Sequence, residues 1–114
     1  MDQVSALLAS MAVESATVAV LLARSPWGLF TRGIAVASCA TVATHPFAWW
    51  GIGAAEPVVG YWAAVVALEA LVCLAEAVAY RFVVPLSWPR SLVVSVAANG
   101  ASTLAGLLYY AAAS

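Results

Sequence analysis

The chain contains no lysine, and its 114 residues carry only four basic and five acidic side chains, a charged fraction of 8%. Soluble domains hold roughly a quarter. With 66% of its residues hydrophobic, a domain this small leaves too much surface exposed to hide its apolar side chains from water. A soluble core is therefore excluded, and the expected partner is the lipid bilayer. The net charge of −1 leaves no electrostatic footprint for nucleic acid. Cysteine is scarce, and Cys39 and Cys73 lie in apolar runs without zinc or redox spacing. H-E-x-x-H, the nucleophile elbow and the phosphate loop are all missing. No enzyme, cofactor or metal site is expected. A basic n-region is also lacking: "MDQVSALLAS" has an acid there, so its apolar run reads as a spanning helix rather than a secretory signal. Neither end carries a lipidation motif.

What is present is long apolar runs. A spanning helix needs about 20 mostly apolar residues. Cutting at charges, prolines and glycines predicts one transmembrane domain over 1–114, with spans at about 4–23, 33–50, 57–80 and 91–110. Pro57 suits a helix start, where a missing N–H costs nothing. The short connections imply antiparallel neighbours, so the expected fold is all-α, an integral membrane four-helix bundle. Arg24 and Arg32 bracket the first connection, and Arg81 and Arg90 the third. Positive residues stay on the cytoplasmic side, which predicts N-out and C-out. The expected location is the cytoplasmic membrane of a bacterium or archaeon. Five tryptophans suit the membrane–water boundaries.

The halves read as a degenerate tandem repeat of two parallel-oriented helical hairpins. Each has a glutamate-bearing helix, a loop with Arg, Trp and Pro ("RSPWGLFTR", "RFVVPLSWPR"), and a helix with a polar site. Thr41 and Asn99 each follow an arginine by nine residues, and Thr44 and Ser102 by twelve. Repeats of one orientation are related by an axis along the membrane normal.

The polar residues inside the spans carry the functional expectation. A charge at a helix centre costs about 2.5–3.5 kcal/mol on insertion scales, so glutamates should face the bundle. At 1.5 Å per residue from the arginine end, Glu14 lies about 14 Å deep, Thr41 and Asn99 about 12 Å, Glu69 and Ser102 about 16–17 Å, and His45 about 18 Å. Half of a ~30 Å hydrocarbon core is about 15 Å. Glu14, His45, Glu69, Asn99, Thr41 and Ser102 are therefore the expected midplane cluster. Glu76 lies only about 6 Å in, which predicts a cytoplasmic-side ion pair with Arg81. Ala98, Ser102 and Gly106 form a small-residue stripe expected to serve helix packing. In "THP", Pro46 removes a backbone hydrogen bond and disfavours helix at His45, predicting a kink that Thr41, Thr44 or the imidazole would repair.

Two functions of different class follow. One is ion- or proton-coupled translocation of a small solute through the midplane cluster, with a homo-oligomer expected because four short helices enclose little volume. The other is a non-catalytic accessory or assembly subunit of a larger membrane complex, in which the polar cluster only sets register.

Overall fold

The computed structural model describes residues 2–114, and among them it has four helices and no strand. They are α1 (Gln3–Leu21), α2 (Trp27–Val59), α3 (Tyr61–Val83) and α4 (Trp88–Ala113). Each packs on its neighbours in sequence, and α1 packs on α4. The four make a closed, up-and-down bundle.

Side chains explain two of the helix starts. Asp2 caps α1: its Oδ1 accepts from the Ser5 backbone N–H at 2.8 Å, and its Oδ2 from the Ser5 hydroxyl at 3.2 Å. The Ser5 bonds favour the ionised form and hold the Asp2 carboxyl below its ordinary value of 3.8. A lowered carboxyl stabilises above its unfolded-state pKa, and that contribution is lost as pH falls through the folded-state value. The first turn of α1 is thus expected to fray at acid pH. Amide exchange at Ser5 should rise as pH drops below about 4, after correction for intrinsic rates, and Asp2→Ala should show the fast rate at neutral pH. An unchanged rate in Asp2→Ala would remove the cap. Ser87 caps α4, accepting from the Arg90 N–H at 3.4 Å, with Pro89 in the first turn.

The middle of the chain departs from expectation. The connection predicted over 51–56 is helical, and α2 runs unbroken for 33 residues through Pro46 and Pro57. The reversal comes at Gly60, whose φ is 87°. Only glycine takes that conformation cheaply, so the glycine, not Pro57, ends the helix. Nor do the threonines repair the carbonyl freed by Pro46: Thr41 donates to the Ala37 oxygen at 2.6 Å and Thr44 to that of Ala40 at 2.8 Å.

The exterior is apolar, and a polar group sits inside an otherwise apolar core. Glu14, Thr41, Glu76, Ser91, Ser95 and Asn99 are buried, while Val20, Val66, Leu71, Leu104 and Leu108 are exposed. Contiguous apolar surface on this scale is foreign to soluble monomers. Among the described residues, α1, α3 and α4 are long and apolar enough to cross a membrane.

One end of the bundle is solid. Val18, Leu22, Val36, Ala37, Tyr80, Val84, Leu86, Val94 and Ala98 form a buried apolar cluster beside the arginine-bearing connections. Close approach there is permitted by Gly33, where a Cβ would run into Leu22 and lie 3.2 Å from Val18. Both neighbours are fully buried and have nowhere to move. At Gly106, by contrast, a Cβ would meet nothing within 4 Å among the described residues. Its predicted role in close packing is corrected: within the stripe Ala98 is core, whereas Gly106 borders open space. Gly33→Val should cost about 1–3 kcal/mol by overpacking, and Gly106→Ala should raise stability in detergent by up to about 1 kcal/mol, the helix-propensity gain of alanine over glycine. Equal losses would contradict this asymmetry.

Candidate polar site in the bundle

Four helices contribute to one hydrogen-bonded network. Glu14 on α1 accepts from the Thr41 hydroxyl on α2 and from the Ser102 hydroxyl on α4, the latter at 2.8 Å. Glu76 on α3 accepts from Thr44 of α2 at 3.0 Å and from the Asn99 amide of α4 at 2.6 Å. The two halves join at α4, because Ser102 Oγ also lies 3.1 Å from the Asn99 carbonyl. Asn99 gives its amide to the Ser95 carbonyl as well, at 2.9 Å, and Ser95 donates to the Cys73 carbonyl at 2.6 Å.

Helical periodicity brings these groups together. Thr41 and Thr44 are three apart on α2, as are Asn99 and Ser102 on α4, so each pair shares a face. The same rule explains the failure of the predicted Glu76–Arg81 ion pair. Five residues along a helix turn the side chain by roughly 140°, which puts the two on different faces. Glu76 is buried and spends its oxygens on Thr44 and Asn99. The Arg81 guanidinium lies over the Phe82 and Trp88 rings, 5.7 and 5.9 Å from their centroids. Depth along the axis also misplaced Glu76, since a helical side chain leans toward its own N-terminus, here the midplane.

The remaining expected residues line a cavity of about 160 Å³ on the Gly60 side of the network. Glu14, His45, Glu69 and Asn99 all border it, with Trp49, Tyr61 and Tyr110 among the outer walls. Glu69 and His45 are half-buried. The His45 ring packs against Trp49, centroids 5.9 Å apart, and its Nε2 is buried without a hydrogen-bond partner among the described residues. All six expected midplane residues thus border one cavity, while Thr44 and Glu76 join them through direct hydrogen bonds. Thr44 and Ser95 are network members that the sequence reading did not place in the site. Their spacing from Thr41 and Asn99 was the available signal.

Three hydroxyls in this network have a choice. Each carries one proton, and each has two acceptors in reach: Thr41 has Glu14 and the Ala37 carbonyl, Ser102 has Glu14 and the Asn99 carbonyl, and Thr44 has Glu76 and the Ala40 carbonyl. With an ionised carboxylate, the hydroxyl donates to it. With a protonated carboxyl, the hydroxyl turns to the backbone carbonyl and accepts the carboxyl proton. Both protonation states are therefore satisfied with no heavy atom moved. Among the described residues no group of three or more His, Cys, Asp or Glu is placed to hold a metal ion.

Fold and site together define a class: an all-helical four-helix bundle with a polar network buried in its core and an apolar exterior. Comparison with known protein families, curated proteins and solved structures finds no match for the chain.

Proposed function

We propose that this chain is a four-span membrane protein that moves protons, coupled to a small solute, through the Glu14–Glu76 network. In this reading α2 is the fourth span, and the two hairpins, α1–α2 and α3–α4, are parallel repeats with their arginines in the cytoplasm. The cavity then faces outward. The observation that carries the proposal is the cavity that ends on Glu14, whose hydroxyl partners Thr41 and Ser102 accommodate either protonation state. A purely structural cluster has no need of a void against it, because packing every polar group would satisfy the bundle better. The apolar cluster at the arginine end is the closed side of the pathway, and translocation requires it to open.

The test is reconstitution of the full chain into vesicles. A potassium diffusion potential is imposed, and internal pH is followed with a trapped dye. Acidification or alkalinisation faster than in empty vesicles is expected. Rates equal to those of empty vesicles, with and without candidate solutes, would sink the reading. A stable stoichiometric partner on native purification, together with silent vesicles, would instead favour the accessory-subunit reading.

A further inference from the structure

A second void meets the polar cavity from the side. A groove of about 320 Å³ lies between α1 and α4, walled by Ala6, Ala9, Val13, Ala105 and Tyr109. Ser10, His45, Trp49, Ser102, Gly106 and Tyr110 border both the groove and the polar cavity. The two voids are thus neighbours with a common wall. The groove's own wall is almost wholly apolar and small, and two of its residues, Ala9 on α1 and Tyr109 on α4, are exposed at the surface of the bundle. Behind the shared residues the polar cavity is acidic and aromatic: Glu14 and Glu69 with Trp49, Tyr61 and Tyr110. None of the residues bordering either void is an arginine.

We propose that the solute is an amphiphilic monocation that reaches the cavity sideways from the bilayer, between α1 and α4. This rests on the transport reading above and names its substrate class. Two features of the voids select the class. A cationic head fits a chamber with two carboxylates and three aromatic rings, since ring faces and carboxylates both attract positive charge. At about 160 Å³ the chamber matches the size of cavity, about 150 Å³, that takes one benzene, so the head is a compact one. An alkyl tail fits the groove, where it lies against alanines and valine instead of being pulled out of lipid into water. The same chemistry rejects an anionic amphiphile, because a negative head would be driven into a chamber that already holds two carboxyl groups. It also disfavours a cation without a tail, which leaves the groove to lipid.

The test is equilibrium binding to the full chain in nanodiscs, counted above empty nanodiscs, with radiolabelled octyltrimethylammonium, tetramethylammonium and octyl sulfate as probes. Octyltrimethylammonium should bind about tenfold or more tightly than tetramethylammonium, from burial of its methylenes, and octyl sulfate should show no saturable binding. Filling the groove with the double substitution Ala9→Leu, Ala105→Leu should remove the tenfold advantage and leave binding of tetramethylammonium, which has no tail to place there, as it was. Glu69→Gln, which keeps the size and loses the charge, should weaken both cations. Equal affinity for the two cations, saturable octyl sulfate binding, or an advantage that survives the filled groove would each overturn the proposal. So would a stoichiometric partner helix that blocks octyltrimethylammonium. The readouts separate the two claims. Selective binding without proton flux would keep this site and remove the transport reading, and flux without selective binding would do the reverse.

Discussion

Asn99→Leu is expected to destabilise the bundle by about 2–3 kcal/mol, far more than the roughly 0.6 kcal/mol of an average polar pair within a membrane. The amide has two protons and both are used, on the Glu76 carboxylate at 2.6 Å and on the Ser95 carbonyl at 2.9 Å. Leucine has similar bulk, so little of the loss comes from a cavity. What remains is a buried carboxyl with Thr44 alone for company, and removing one partner of a buried polar pair costs more than the pair is worth. The double substitution Asn99→Leu, Glu76→Leu removes the stranded group along with its donor. It should recover most of the loss, because apolar replacement of a whole buried pair is often neutral. Unfolding of the two single variants and the double variant forms a cycle that isolates the coupling. A double variant as unstable as the sum of the singles would show that Glu76 and Asn99 do not depend on each other.

Glu14→Gln should do the opposite: spare the fold and stop the flux. Glutamine keeps the length of the side chain and one oxygen, and its amide donates where the second oxygen accepted. Thr41 and Ser102 tolerate that exchange, because each turns its own proton to a backbone carbonyl already in reach. Stability should therefore change by no more than about 1 kcal/mol, the scale of one net hydrogen bond. The amide holds no exchangeable acid proton at neutral pH, so potential-driven pH changes in reconstituted vesicles should fall to the level of empty ones. Glu14→Asp keeps the acid but shortens the reach to both hydroxyls, and intermediate flux is expected. Wild-type flux in Glu14→Gln, with normal folding, would take this carboxyl out of the pathway.

These expectations draw unevenly on the sequence. The inward orientation of Glu14 follows from the cost of a charge against lipid, and in the structure it is buried with Thr41 and Ser102, as its depth along α1 suggested. The arrangement of four packed helices was legible for a similar reason, since apolar runs of that length have few other uses. Glu76 was misread because depth was counted at the backbone, whereas its carboxyl lies where the side chain leans. Pro57 in sequence suits a helix start, but a proline inside a helix forfeits only one bond, and it is Gly60 that accepts the positive φ at which the chain reverses. Gly106 was read as a packing residue because small residues at four-residue spacing do favour close approach. Whether they achieve it depends on how the helices cross, and periodicity holds no such information. The cavity and the α1–α4 groove were illegible for the same reason: a void belongs to the space between helices and not to any one of them.

The most direct test of the central claim, that water meets the buried carboxyl groups from the Gly60 end alone, is cysteine labelling along α4. Cys39 and Cys73 are first replaced by alanine, and single cysteines are placed at Thr103, which borders the cavity, and at Val94, which lies in the apolar cluster. A membrane-impermeant charged thiol reagent is added to each side of oriented vesicles in turn. Thr103→Cys should react only when the reagent is on the Gly60 side, and Val94→Cys from neither side. Equal labelling at both positions, or labelling of Val94→Cys alone, would contradict a pathway open at the Gly60 end and closed at the arginines.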